Sequence, residues 1–327
     1  MSTAPVMVFT YSRPEHTKKV LEALNENHLA PETDVYTYTC TAKNDRSQPD
    51  VERTKDVLRS FEDNNRFRSY NVVDIGIFLP LGPAMIRAVT ETVNKNGKVI
   101  IVEDDIVTSK DFLTFMNECL DRYENSKNIF SVSGYSPHFD YLDHIEGDVY
   151  AVHRACPWGW GTWSDRWDQF DPRVEEYIKT MKDRDTRRRI TRWNTDLPMT
   201  LDALFYEKGC MEKNWEQQFC YAQFLKGMNV ICPKVSKVEN IGFDGTGTHD
   251  IPTGLISKFD PEGSGWTLSD PTVDDILQKK YNRMFVFRRK TRMMIMISNM
   301  VHFVSPSIYY KLLTKYYKND PDLPTNE

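Results

Sequence analysis

Two periodicities alternate along the first half of the chain. Val6-Met-Val-Phe-Thr-Tyr11 is an unbroken β-branched and aromatic run that predicts a buried strand. Ser12-Arg-Pro-Glu15 then reads as a helix start, with Ser12 as the cap and Pro14 in the first turn, where its missing N–H costs nothing. This helix is expected to reach about Asn27. The pattern repeats with a strand at Val35 to Thr41, a helix at Val51 to Asn64, a strand at Tyr70 to Ile75, a helix opening at Leu81-Gly-Pro-Ala84 and an apolar strand Lys98-Val-Ile-Ile-Val102. Such alternation marks βαβ units and a largely parallel sheet. A helix over Asp111 to Tyr123 and a strand over Ile129 to Gly134 follow. The texture then changes to an aromatic loop, Pro157 to Trp163, and to helical patterns at Glu175 to Trp193, Leu201 to Lys208 and Trp215 to Leu225. A strand at Asn229 to Cys232 precedes a glycine-rich stretch, Gly242 to His249, that reads as a mobile loop. The expected layout is an α/β nucleotide-binding half (1–135), an acceptor-side half of the same unit (136–255) and a helical C-terminal extension (256–327).

Composition narrows this picture. A chain of 327 residues, 40% hydrophobic and 12% aromatic, can bury a large core. The six cysteines form no CxxC pair, and no charged-then-apolar leader opens the chain, so a reducing, cytoplasmic setting is expected. A net charge of -5 argues against nucleic-acid binding, which needs a basic surplus against phosphates. The charge is uneven, however. Tyr281 to Lys318 holds eight Lys or Arg and no Asp or Glu, interleaved with Met, Phe and Ile. This segment suits either helices lying peripherally on an anionic membrane surface or a helical pair packed on the body. Its apolar run, around Met293 to Val304, is too short and interrupted to span a bilayer.

Chemistry concentrates where the strand at 98–102 runs into Glu103-Asp104-Asp105. Acids at the carboxyl end of a strand in an open α/β sheet lie where ligands bind. Three adjacent carboxylates repel one another unless a cation or solvent compensates, and a hard divalent ion, Mn²⁺ or Mg²⁺, would take one of them together with substrate phosphate oxygens. A solvated turn is the plainer reading of the same triplet. Gly159 and Gly161 would admit close backbone approach, and Trp158, Trp160 and Trp163 offer flat faces either for sugar stacking or for the core. His138, His144 and His153 lack zinc-site spacing and read as structural or acceptor-facing.

Val102-Glu-Asp-Asp-Ile106, followed by Ser109-Lys-Asp-Phe-Leu113, resembles the DXD motif of GT-A glycosyltransferases. The likeness is to the N-acetylglucosaminyltransferases that initiate complex N-glycans and to related bacterial sugar transferases. It extends in order through Tyr150-Ala-Val-His-Arg154, Pro157-Trp-Gly-Trp-Gly161, Asn214-Trp-Glu-Gln-Gln-Phe219 and the loop ending at His249. The resemblance implies a GT-A fold and an inverting, metal-dependent transfer from a nucleotide-sugar, of UDP type, to a hydroxyl of a glycan or lipid-linked acceptor, as in surface polysaccharide synthesis. It further implies Asp105 as metal ligand with His249 as a second contact, and Glu103 and Asp104 as donor contacts. Thr10, Tyr11 and Arg13 would hold base and ribose, while Arg154, Gly159, Trp160 and Gly161 shape the sugar pocket. Glu216 is the implied catalytic base, with Asp165, Asp168 and Asp244 the next acids in line. Two alternatives remain: a catalytically silent glycan-binding protein on the same fold, and a sugar nucleotidyltransferase. The latter normally has a glycine-rich phosphate loop, whereas Thr10 to Glu15 contains none.

Overall fold

In a computed structural model, the expected α/β architecture is observed as one eight-stranded sheet flanked by helices. The structure describes residues 3–172, 174, 176–206, 215–244, 257–286 and 289–318. The first half runs β1 (Val6–Phe9), α1 (Pro14–Asn25), β2 (Asp34–Thr39), α2 (Gln48–Ser60), β3 (Ser69–Asp74), α3 (Leu81–Asn96) and β4 (Lys98–Glu103). A short β5 (Ile106–Thr108), α4 (Phe112–Arg122) and β6 (Ile129–Ser133) follow. Next come β7 (Val149–Val152), β8 (Trp160–Trp163), α5 (Ser164–Trp167), α6 (Tyr177–Lys182), α7 (Arg184–Trp193), α8 (Leu197–Tyr206) and α9 (Trp215–Lys226). The chain continues with β9 (Asn229–Pro233), β10 (Val238–Asn240), α10 (Asp275–Phe285), α11 (Arg289–Val304) and α12 (Pro306–Lys318).

The sheet order is β3-β2-β1-β4-β8-β6-β9-β7, and β3, β2, β1 and β4 are mutually parallel. The period of two in β1 and β4 decides the layers. Val6, Val8, Ile100 and Val102 face the α1 and α4 side, while Met7, Phe9, Val99 and Ile101 face α3 and α9. Burial on both faces explains why these strands read as continuous apolar runs.

The aromatic segment expected as a loop is in part a central strand. Trp160-Gly-Thr-Trp163 has strand periodicity and pairs antiparallel with both β4 and β6. The helix expected over 175–193 is two helices. Between them Asp183 adopts an extended backbone and accepts a 2.7 Å hydrogen bond from the Thr186 N–H, so its carboxylate caps α7 instead of continuing α6. The first helix likewise starts one residue later than expected, with Arg13 rather than Ser12 at the cap position and no side-chain cap bond. The C-terminal helices α6, α7, α8 and α12 gather around their own apolar cluster, including Tyr177, Ile190, Leu201, Tyr309 and Tyr310. Among the described residues, no helix is long and apolar enough to cross a membrane.

Candidate functional site

Sheet register builds the site. Phe9 at the end of β1 lies beside Glu103 at the end of β4, so the loop after β1 and the acid triplet after β4 leave the same sheet edge together. Arg13 Nη1 reaches Asp105 Oδ2 at 2.6 Å and Asp104 Oδ1 at 3.6 Å. The Tyr11 backbone N–H also bonds Asp104. Tyr11 itself is half-buried, its ring 6.2 Å from Phe78 and its hydroxyl accepting the Lys43 N–H at 2.8 Å. Thr10 is fully buried, and its hydroxyl bonds back to the Tyr38 carbonyl at 3.1 Å, so it acts in joining β1 to β2.

On the other side, β5 pairs antiparallel with β10, and the Ile241 N–H donates to the Asp105 carbonyl at 2.9 Å. This brings Gly242 against the acid. A Cβ at position 242 would overlap Asp105 Oδ2 and lie 2.9 Å from its Cγ, so any larger residue there would displace the Asp105 carboxylate. Asp244, two residues on, pairs with His16 Nε2 at 3.2 Å. Neither pairing was legible from the sequence, although the turn residues around Gly242 signalled a sharp change of direction.

Glu216 joins the cluster through a stack of aromatics. Ile101 of β4 is in register with Trp160 of β8, and Trp160 stacks on Trp215 with centroids 5.3 Å apart and planes at 27°. Trp215 opens α9, so the next residue, Glu216, sits close enough to Glu103 for the two carboxylates to repel. Glu103, Asp104, Asp105 and Glu216 are all half-buried.

Electrostatics follow from that crowding. Burial, then Asp105, Glu216 and Asp104, hold the Glu103 carboxyl well above the usual carboxylate range, with Arg13 opposing. Asp104 is pushed up to about 7 by burial first and Asp105 second, against Arg13 and the Tyr11 N–H. Arg13 is raised despite its burial because Asp104 and Asp105 favour its charged form. Asp104 and Asp105 thus pair with one guanidinium, which also acts on Glu103, an arrangement that favours binding of a further cation or of a ligand that brings one.

The remaining expected site residues fall elsewhere. Arg154, buried at the end of β7, bonds Asn194 at 2.7 Å, pairs with Asp196 and stacks on the Phe285 ring at 4.2 Å. Gly161 faces the sheet interior, where a Cβ would meet the Val99 carbonyl at 3.0 Å and Met116 Cε at 3.2 Å. Gly159 has φ +60, and a Cβ there would lie 2.7 Å from Val238 Cγ1. Both glycines thus allow close packing between protein segments. Trp160 and Trp163 are buried in the core, and Trp158 is half-buried between Tyr135 and Phe243. His153 stacks on Trp193 at 3.7 Å and bonds Asn229, a structural role. Asp165 is paired with Arg166. His249 lies outside the described residues.

No protein family matches the sequence, and no curated protein matches it. Among solved structures, the chain is similar to TarS residues 1–349 from S. aureus, at 10% identity and a TM-score of 0.41, over 72% of this chain and 59% of that one. It is similar to a cytidylyltransferase from Leptospira borgpetersenii serovar Hardjo-bovis at 9% identity and a TM-score of 0.31, over 52% of this chain and 64% of that one. A UDP-glucose pyrophosphorylase complexed with UDP-glucose is similar at 10% identity and a TM-score of 0.35, over 72% of this chain and 92% of that one. The chain therefore spans less than two thirds of the TarS and cytidylyltransferase chains it overlaps.

Proposed function

We propose that the chain is a glycosyltransferase, moving a sugar from a nucleotide-sugar donor of the UDP type to an acceptor hydroxyl with inversion at the anomeric carbon. The observation that carries this reading is the meeting of Glu216 with the strand-end acids Glu103, Asp104 and Asp105 beside Arg13. Such a site can hold a diphosphate at one end and a proton acceptor at the other. Arg13, once released from Asp105, is free to pair with the donor diphosphate. Tyr11 and Phe78 offer aromatic surface near the same loop for the base. Glu216 takes the proton of the acceptor hydroxyl, whose oxygen then attacks the anomeric carbon from the face opposite the diphosphate. Glu103, whose carboxyl burial and its acidic neighbours raise, stands at the same strand end as a donor contact.

The donor set also suits a hard divalent ion. Asp104 and Asp105 supply carboxylate oxygens on a turn, and Mn²⁺ or Mg²⁺ commonly takes one or two such ligands with the rest from phosphate and water. Among the described residues, no group of three or more His, Cys, Asp or Glu is placed to hold a metal ion by itself. When bound, the ion would supply Lewis-acid stabilisation of the leaving diphosphate.

The test is to incubate the protein with a panel of nucleotide-sugars, Mn²⁺ and candidate sugar acceptors, and to measure released products. Nucleoside diphosphate release supports sugar transfer. Pyrophosphate formation from a nucleoside triphosphate and a sugar phosphate would replace this reading with nucleotidyl transfer. Binding of donor without turnover on any acceptor or on water would favour a silent glycan-binding protein.

A further inference from the structure

The helix α11 is inside out for a helix bathed in water. Its outward arc carries Met293, Met296, Ile297, Met300, Phe303 and Val304, each between 48% and 74% exposed. Its inward arc sets polar groups beside buried Ile295: Ser298 bonds the Tyr309 hydroxyl at 2.7 Å, Asn299 meets Arg187, and His302 is buried. On a helix at 100° per residue, the six apolar positions fall on one side, and the following helix, α12, adds exposed Ile308 and Leu312. A patch of this extent marks an interaction surface rather than scattered surface apolarity.

Cations border it from an element the sequence did not connect with the C-terminal tail. Arg184, Arg188 and Arg192 follow one another at four-residue spacing along α7. The first two lie over the Phe303 ring at 5.7 and 4.4 Å. The three arginines and His302 line a cavity of about 210 Å³ between α7 and α11. Arg289, Lys290 and Arg292 stand at the start of α11, and Lys311 and Lys315 are exposed on α12. On α7 itself, Asp183 caps the helix and Asp185 pairs with Arg188.

We propose that this face, formed by α11, α12 and the arginine edge of α7, docks on an anionic phospholipid surface. The methionines, Phe303 and Val304 enter the acyl boundary, and the arginine-lined cavity receives a headgroup phosphate. An apolar strip within a cationic border matches an interface whose interior is hydrocarbon and whose surface is negative. A second copy of the chain fits worse. Face-to-face pairing would set one cationic border against another, a repulsion that an anionic headgroup layer converts to attraction. The inference is independent of the sugar-transfer reading, since vesicle binding and donor turnover are read in separate measurements.

The experiment is co-sedimentation of the full chain with phosphatidylcholine vesicles, with and without phosphatidylglycerol, at low and high salt. The expected result is binding to the phosphatidylglycerol vesicles alone, with release as salt rises. Arg188→Gln with Arg192→Gln should lower the partition coefficient by roughly 25-fold, about fivefold for each surface-near cation. Met296→Asp with Met300→Asp should abolish binding while the melting temperature stays unchanged, because both side chains are exposed. Equal binding to both vesicles, binding to neither, or wild-type partitioning by both double variants would overturn the proposal. So would stabilisation by inorganic phosphate without vesicle binding, or a lipid-free dimer that Met300→Asp dissociates.

Discussion

At the end of β4, Asp104 and Asp105 share the guanidinium of Arg13 beside Glu103; beneath α7, the carboxylate of Asp202 is shared among Arg187 at 2.8 Å, Tyr177 at 3.0 Å and Tyr309 at 2.6 Å. Both regions hide charge from water, yet their balance is opposite. The Asp202 network is nearly inaccessible and neutral as a unit: burial disfavours the charged form of Arg187, Asp202 outweighs it, and the guanidinium ends raised. The strand-end cluster carries surplus negative charge, remains half open, and leaves two carboxyls raised. A satisfied ion pair fixes the C-terminal helices in place. An unsatisfied one stores binding energy for a ligand that completes it.

The contrast can be broken most severely at Glu216. Glu216→Gln keeps size but cannot accept a proton, so transfer should fall by about 10² to 10⁴ while donor affinity survives. Stopped assays of nucleoside diphosphate release, with donor binding measured on the same preparation, check this. Transfer at the wild-type rate would move the base to another acid.

Next in size is the balanced region. Asp202→Ala leaves Arg187 buried without its carboxylate, and the fold should lose about 3 to 5 kcal/mol. Denaturant unfolding measures it, and donor affinity of the folded fraction should be unchanged. A loss within about 0.5 kcal/mol would mean that the network contributes little.

The smallest effect has the opposite sign. Asp104 titrates near 7 when folded, against about 3.9 for an unfolded aspartate. Because the folded value is raised, ionisation costs stability: the penalty is absent below about pH 4, grows between pH 4 and 7, and is fully present above 7. Asp104→Asn should therefore raise stability by about 1 to 3 kcal/mol at pH 8, and by much less at pH 4. Unfolding curves at the two pH values test the sign. A site residue whose removal stabilises the protein is the mark of strain kept for binding.

These two regions were unequally visible in the sequence. The acids at the end of β4 could be placed at a sheet edge from the sequence because an apolar strand runs straight into them, while Glu216 was singled out only through the resemblance around Trp215. The Arg187–Asp202 pair was not, since α7 is so rich in arginine that no single one stood out as buried. Strands β1 and β4 announced themselves as apolar runs, being covered on both faces, whereas β2 and β3 carry polar positions and were read from their β-branched and aromatic residues. The central strand β8 was not legible, because Trp160-Gly-Thr-Trp163 uses glycine where a side chain would collide with Val99 and Met116, and glycine reads as loop. Arg154 was expected at the donor. Its nearest partners, Asn194 and Asp196, come from the junction of α7 and α8, a long-range pairing that spacing along the chain could not reveal.

The central claim is that the surplus acid at the end of β4 exists to bind a nucleotide diphosphate, and titration calorimetry with UDP in the presence and absence of Mn²⁺ tests it most directly. Wild-type protein should bind UDP in a Mn²⁺-dependent manner, and Asp105→Ala should lose that dependence with no fall in melting temperature. Asp105→Ala binding UDP with the wild-type affinity and the wild-type response to Mn²⁺ would contradict the account.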